Sequence, residues 1–310
     1  MIVVWLRCCL AAEIAVLALL WTWLLRGTDI GIMTAALLVL ASLIAVNALS
    51  VGVKYALSRR HALVPPPGMQ VGTWHAAAAM IGEIGAFLLA FAIIQPFERW
   101  WMGSDAVGRL APGRTPVLMI HGYFCNRGLW WWLRRRLRAQ GVAVATITLS
   151  RPLGGIDPCA EELAARIDQL RAETGADRVV LVGHSMGGLV SRAYLRRHGA
   201  GKVDKLITIA TPHHGTVLAR IGPGRNAREM EPESEWLRRL ADGATSSIRV
   251  VSIWSARDEI VVPQDSARLP GADELMLPAI GHMAMAFSPT VLRLLAAELM
   301  VRNGCRGGAG

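Results

Sequence analysis

Three long apolar segments occupy most of the first hundred residues of this chain. They cover residues 2–25, 30–57 and 74–97, and each is long enough to cross the hydrocarbon core of a bilayer as a helix. Hydrophobic residues make up 53% of the whole sequence, which is more than a water-soluble globular protein needs. The sequence therefore predicts an all-α transmembrane region of about three helices, followed by a region of ordinary polarity.

A cleaved signal peptide is the other interpretation of the first segment. The chain continues after it as LLRGTD, without the small residues that mark a cleavage site. We therefore favour an uncleaved helix that stays in the membrane.

Two acidic residues, Glu13 and Glu83, lie within the apolar segments. An acidic side chain in the bilayer is costly unless it finds a partner. A proton or ion path is one interpretation, but two such residues are few for a path. We expect both to face the helix bundle and to form hydrogen bonds across it.

Basic residues near the segments predict an orientation. Lys54, Arg59 and Arg60 lie around the second connection, whereas Arg26 is the basic residue of the first. The richer short loop is expected on the cytoplasmic side. Three crossings then place the N-terminus in the cytoplasm and the rest of the chain on the outer side.

The formal net charge of +10 raises the question of nucleic acid binding. The arginines are dispersed along amphipathic stretches and membrane flanks, and no nucleic-acid-binding motif accompanies them. Anionic membrane lipids are therefore the expected partners of this charge, and nucleic acid is not. The five cysteines show no metal-ligand spacing, so we predict neither a metal site nor a cofactor.

The remainder of the chain divides into three predicted parts. Residues 98–114 form an interfacial linker that begins with Trp100 and Trp101. Residues 115–302 alternate short apolar runs with helical stretches, which is typical of a buried, mostly parallel sheet with helices on both faces. Residues 303–310 form a flexible tail. The predicted strands are residues 117–120, 142–149, 179–182, 205–210 and 249–254.

The third predicted strand runs directly into a G-x-S-x-G motif centred on Ser185. A strand-to-helix turn this sharp exposes the serine above the sheet and requires residues without side chains on both sides, which Gly183 and Gly187 provide. The following helix begins at Met186, and its free N–H groups lie where an oxyanion forms. The motif predicts Ser185 as a nucleophile.

Two backbone donors are needed for such an oxyanion. The N–H of Met186, directly after the serine, is the first candidate. The loop after the first predicted strand reads HGYF, and we select the N–H of Tyr123 as the second donor, with Phe124 as the alternative. His121 is expected to have a structural role.

The general base and its carboxylate partner follow the serine in the order acid, then histidine. His282, preceded by Gly281, is the histidine that satisfies this order. Asp258 follows the strand that ends at residue 254, at an edge where active-site groups collect. We predict Asp258 as the acid over its neighbours Glu259 and Asp265.

The motifs HGYF, GHSMGG, ATPHHGT and SARDEIVVP, closed by GH, resemble those of bacterial triacylglycerol lipases and related esterases of the α/β-hydrolase superfamily. The resemblance covers about residues 115–302. It implies an α/β-hydrolase fold after the transmembrane region, a pocket-lining or structural role for His213 and His214, and a bacterial inner membrane. With the orientation above, the hydrolase region would face the periplasm, where Cys125 and Cys159 could form a disulfide.

Together these features predict a membrane-anchored serine hydrolase that cleaves carboxylic esters, lipid or acylglycerol esters above all, through an acyl-enzyme intermediate. The expected partners are an ester or lipid substrate and membrane lipids. An acyltransferase or thioesterase with the same three residues is the main alternative. A catalytically inert membrane scaffold is a further alternative that the intact set of residues disfavours. Residues 221–240 are a candidate lid.

Overall fold

The computed structural model describes residues 2–62, 72–241 and 248–300. The predicted tail at 303–310 lies outside these residues, as does the proline-rich stretch of the second connection.

The N-terminal region is helical. Helix α1 covers Ile2–Leu24 and α2 covers Ile32–Ser58. The third segment begins as α3, Thr73–Leu88, and continues through the π-helical turn Leu89–Ile94 and a 3₁₀ turn into α4, Glu98–Met102. These three helical segments are long and apolar enough to cross a membrane.

Helices α1 and α2 pack against each other as an antiparallel hairpin. The Trp21 indole N–H donates to Ser42 Oγ at 2.8 Å, near the closed end of the hairpin. Further along, Asn47 Nδ2 donates to Glu13 Oε1 at 3.4 Å, so Glu13 has its partner within the helix bundle. Glu83 does not, since its carboxylate contacts the C-terminal half of the chain.

The open end of this hairpin lies against the C-terminal half. The Trp5 and Phe124 rings are 4.9 Å apart, and Arg7 Nε donates to Pro96 O at 2.6 Å. The start of α1 is therefore beside the loop after the first strand. Three complete crossings would put these two parts on opposite faces of the bilayer, so the contacts do not fit the orientation expected from the loop charges.

Among the residues that the structure describes, six parallel strands form one sheet in the order β2-β1-β3-β4-β5-β6. The predicted α/β-hydrolase fold class is confirmed, with five strands close to their expected positions and β6 added at the edge. The strands are β1 Val117–Ile120, β2 Val144–Ile147, β3 Val179–His184, β4 Val203–Ile209, β5 Arg249–Ser255 and β6 Asp273–Leu277.

Helices cover both faces of the sheet, which is why the strands are apolar on both sides. Within β1, Leu118 and Ile120 pack towards α6 and α7, whereas Val117 and Met119 pack towards α5 and α10. The C-terminal edge of the sheet is left for the loops that carry the candidate site. The helices are α5 Trp131–Ala139, α6 Ile156–Thr174, α7 Met186–His198, α8 Arg225–Glu229, α9 Glu235–Ala241 and α10 Pro289–Met300.

Two further features concern the predicted linker and the suggested disulfide. Asp105, in the predicted linker, accepts a hydrogen bond from the Thr146 N–H at 2.7 Å and pairs with Arg134 at 3.2 Å, so this part of the chain packs on β2 and α5. Cys125 and Cys159 are both buried free thiols, so they do not form the suggested disulfide in this structure.

Candidate active site

Ser185 lies in the sharp turn between β3 and α7. Its backbone has φ 55° and ψ −126°, a conformation that a residue with a side chain rarely adopts. A Cβ on Gly183 would lie 2.5 Å from Gly188 N, and a Cβ on Gly187 would lie 2.7 Å from His121 O. The two glycines therefore allow the turn that holds the serine in this strained position.

Asp258 follows β5 in a tight loop. Its Oδ1 accepts hydrogen bonds from the Ile260 and Val261 N–H groups, both at 2.8 Å, and its side chain is almost fully buried. These donors fix the carboxylate and leave Oδ2 directed at the loop after β6.

His282 lies on that loop, and its ring is hydrogen-bonded to Asp258. Nδ1 is 2.8 Å from Asp258 Oδ2 and 3.0 Å from Oδ1. This arrangement places the proton on Nδ1 and leaves Nε2 as the basic nitrogen. The structure thus brings together the predicted acid and the predicted base.

A cavity of about 590 Å³ contains both Ser185 and His282. Its lining is mainly apolar, and part of its wall comes from the N-terminal helices. The wall residues from that region include Trp5, Leu6, Cys9 and Leu10 of α1, Lys54 of α2, and Phe87 and Phe91 of the third segment. The candidate site is therefore a cavity shared by the sheet and the apolar helices.

Tyr123, one of the two predicted oxyanion donors, borders the same cavity. Gly122 is so close to the serine that a Cβ on it would lie 2.8 Å from Ser185 Cβ, and Tyr123 and Phe124 line the space beside it. Met186 is the first residue of α7, so no carbonyl within the helix can accept its N–H. Phe124, the alternative donor, has a positive φ of 53°.

Comparisons with known proteins agree with this geometry. Residues 160–286 match the model of the PGAP1-like alpha/beta domain. A triacylglycerol lipase of Burkholderia plantarii is 35% identical over 122 residues, which are 37% of this chain and 34% of the lipase. A triacylglycerol lipase of Pseudarthrobacter phenanthrenivorans is 36% identical over 117 residues, 35% of this chain and 36% of that one. Over part of its length, the chain is thus similar to the PGAP1-like alpha/beta domain and to bacterial triacylglycerol lipases.

Solved structures share the fold of this chain. A mature Bacillus licheniformis lipase matches with a TM-score of 0.56 and 18% identity, covering 64% of this chain and 96% of the lipase. Aspergillus fumigatus lipase B matches with a TM-score of 0.54 and 20% identity, covering 64% and 56%. The chain spans only about a third of the length of the curated lipases that it matches in sequence.

Two other histidines, His121 and His213, are buried and hydrogen-bonded within the fold. His121 Nε2 accepts from the Leu149 N–H at 2.9 Å while Nδ1 donates to Gly122 O at 2.8 Å, and burial lowers the pKa of this ring to about 4. His213 is hydrogen-bonded to Thr208 Oγ1 at 3.1 Å and buried. His213 and His214 line a separate cavity, together with Asp265, so the structure does not bring these three residues to Ser185.

Sequence reasoning missed a role for His184, the residue before the nucleophile. Its Nε2 is 3.1 Å from the carbonyl oxygen of His282, and the two rings are 4.7 Å apart. Burial and the neighbouring His282 lower the pKa of His184 to about 3, so the neutral ring donates its Nε2–H to that carbonyl. The variable position of the motif thus supports the backbone of the candidate base.

The candidate lid packs over the cavity. Ile221, Gly222 and Pro223 line it, and the Tyr123 hydroxyl donates to the Pro223 carbonyl. Asn226 Nδ2 donates to Pro152 O at 2.9 Å, which ties the segment to the loop before α6.

Proposed function

We propose that the chain is a membrane-anchored serine hydrolase that cleaves carboxylic esters of lipids, acylglycerols included. One observation carries the proposal: the hydrogen-bonded pair of His282 and Asp258 lies at the cavity that holds Ser185 in its strained turn. The curated relatives named as triacylglycerol lipases support the same class of reaction.

The proposed reaction is acyl transfer to water. His282 Nε2 takes the proton of Ser185 Oγ as the oxygen attacks the ester carbonyl, and the N–H groups of Tyr123 and Met186 hold the oxyanion. The C–O bond breaks, and the alcohol leaves with the proton from His282. Water, deprotonated by the same nitrogen, then releases the fatty acid and restores the serine. Asp258 orients the imidazole and stabilises its positive charge.

The wall of the cavity supports a lipid substrate. Trp5, Leu6 and Leu10 present apolar surface from a helix in which Arg7 and Glu13 are the only charged residues. A cavity of this size that is mainly apolar favours an acyl chain over a polar group. We therefore propose that the acyl chain of a bilayer lipid lies between α1 and the lid segment.

Esters with long acyl chains are therefore expected to react faster than short ones in a series of p-nitrophenyl esters assayed in lipid nanodiscs. Leu10→Trp should lower kcat/KM for the longest ester by about tenfold, since each methylene in an apolar pocket contributes about 1–3 kcal/mol. Activity on the acetate ester should change little, because its acyl group does not reach α1.

Leu19→Trp is the matched control, because Leu19 lies on the same helix with 69% of its surface exposed. An equal loss of kcat/KM for short and long esters in Leu10→Trp would contradict an acyl site on α1.

Adding an alcohol or a thiol as a second acceptor separates hydrolysis from acyl transfer in the same assay.

We also propose that the N-terminus of α1 and the hydrolase region lie on the same, cytoplasmic, side of the membrane. The contacts at Trp5 and Arg7 support an even number of crossings, with α1 and α2 as the crossing hairpin. The third segment would then lie along the membrane surface, because its Glu83 contacts a loop of the hydrolase. Arg7, Lys54, Arg59 and Arg60 are then at the hydrolase end, against Arg26 at the other.

Reporter fusions test this orientation. Green fluorescent protein at the C-terminus should fluoresce and alkaline phosphatase at the same junction should be inactive, because phosphatase folds only outside the cytoplasm. Fusions after Thr28, between α1 and α2, should give the opposite pair of results. An active phosphatase at the C-terminus would refute the cytoplasmic placement.

A further inference from the structure

Two buried carboxyl groups lie behind the loop that carries His282. Glu83, from the third apolar segment, and Glu259, next to Asp258, are 0% and 1% exposed. Neither lines the cavity of Ser185. The reaction proposed above uses neither of them, although a buried carboxyl group requires hydrogen-bond partners.

Their partners are three consecutive backbone N–H groups of that loop. Glu83 Oε1 accepts from Met283 N at 2.9 Å and Oε2 from Ala284 N at 2.8 Å. Glu259 Oε2 accepts from His282 N at 3.2 Å. The backbone N–H groups of residues 282–284 are therefore bound by the carboxyl oxygens of Glu83 and Glu259. Glu83 lies on a helix 200 residues earlier in the chain than Met283.

The contact is tight. A Cβ on Gly281 would lie 2.8 Å from Glu83 Cβ, so the residue before His282 must be a glycine for α3 to come this close. Ala86 and Ala90, further along the same face, pack with Met283 and Ala286 in a small apolar cluster. The helix thus supports the loop by packing as well as by hydrogen bonds.

The two carboxyl groups are also hydrogen-bonded to each other, so one of them carries a proton. Burial, together with the nearby Glu83 and Asp258 carboxyls, raises the pKa of Glu259 well above its ordinary value. Glu83 accepts backbone N–H groups on both oxygens, which suits an ionised group. Glu259 is then the protonated partner, and it donates to Glu83.

We propose that Glu83 is a positioning residue for catalysis: its carboxylate, supplied by the third apolar segment, fixes the loop of His282 so that the ring meets both Asp258 and Ser185. The inference rests on the proposed function of His282 as the base. It makes the N-terminal region part of the catalytic machinery as well as an anchor.

Glu83→Gln is the decisive variant. A glutamine has one acceptor oxygen, so it loses either the Met283 or the Ala284 N–H and sets its NH₂ group against that donor. A loop released by a fraction of an ångström should lower kcat for a short soluble ester by about ten- to a hundredfold with KM little changed. The rate at which a fluorophosphonate labels Ser185 should fall in parallel.

Glu259→Gln is the matched isostere, because an amide NH₂ can replace the protonated carboxyl as donor to Glu83 while its oxygen still accepts from His282 N. It should keep nearly the turnover of the unmodified protein. Ile81→Ala, on the lipid-facing side of the same helix at 66% exposure, controls for general damage to the helix.

Amide hydrogen exchange, measured on the full-length variants in nanodiscs, reports on the loop without requiring activity. Met283 and Ala284 should exchange faster in Glu83→Gln than in Ile81→Ala or Glu259→Gln. Faster exchange in Glu83→Gln, together with no ester hydrolysis by the unmodified protein, would reject the proposed function. It would also reject a role in catalysis for the contact between Glu83 and the loop of His282. Unchanged exchange and unchanged kcat in Glu83→Gln would overturn the inference. A loss of kcat in Glu259→Gln equal to that in Glu83→Gln would also overturn it.

Discussion

Ser185→Ala is expected to lower ester hydrolysis by about four orders of magnitude or more, because the change removes the oxygen that would form the proposed acyl-enzyme bond. Hydrolysis of the preferred p-nitrophenyl ester measures the loss. A fluorophosphonate probe, which forms a covalent bond with an activated serine, should label the unmodified chain and leave Ser185→Ala unlabelled.

Ser191→Ala is the control for this variant. Ser191 is a buried serine on α7, the helix that follows Ser185, and its hydroxyl donates to Gly187 O at 2.8 Å, outside the cavity that holds Ser185. It should retain turnover and labelling. Residual activity of Ser185→Ala within about tenfold of the unmodified chain would exclude Ser185 as the nucleophile, because removing a catalytic serine lowers kcat by several orders of magnitude.

Asp258→Asn is expected to lower kcat by about three to four orders of magnitude without unfolding the chain. The asparagine Oδ1 can still accept from Ile260 and Val261 N–H, so the turn is kept. Its NH₂ group then faces His282 Nδ1 and donates to it. The imidazole must carry its proton on Nε2 instead, and a protonated Nε2 cannot take the proton of Ser185.

Asp265→Asn is the comparison variant, because Asp265 lies at a separate cavity beside His214. It should leave kcat nearly unchanged. A severe loss of kcat in Asp265→Asn, with little effect from Asp258→Asn, would contradict the assignment of Asp258 as the acid and would move that role to the loop of Asp265. Thermal unfolding of both variants, measured in the same nanodiscs, separates a catalytic defect from a folding defect.

The parts of the site that could be predicted from sequence follow from local rules. Ser185 is identified by a motif whose glycines are required by the turn itself, and the fixed order of acid and base then leaves few choices for Asp258 and His282. The hydrogen bond between these two residues agrees with that selection. The fold class follows from apolar runs that alternate with helical stretches, because a sheet covered on both faces has no polar side.

The parts that could not be predicted depend on contacts between distant segments. β6 was missing from the predicted strands because it lies at the sheet edge and begins with Asp273 and Glu274, both exposed, so its apolar run is only three residues long. The orientation predicted from loop charges assumes that every long apolar helix crosses the bilayer, and it stays a prediction. Hydropathy measures length and composition, and it does not register that Glu83 is bound to a loop near residue 284.

The contact between Glu83 and Ala284 also bears on how the chain is made. Synthesis releases α1 and α3 long before the loop that follows β6, since 201 residues separate the two partners. Until that loop is made, the Glu83 carboxylate has none of its backbone donors and stays hydrated, because burying an unpaired carboxylate is unfavourable in free energy. The cavity would therefore acquire the proposed base and the support behind it in one late step, after α1 and α3 have been made. A nascent chain with the Ser185 turn already folded would remain inactive until the loop of His282 leaves the ribosome.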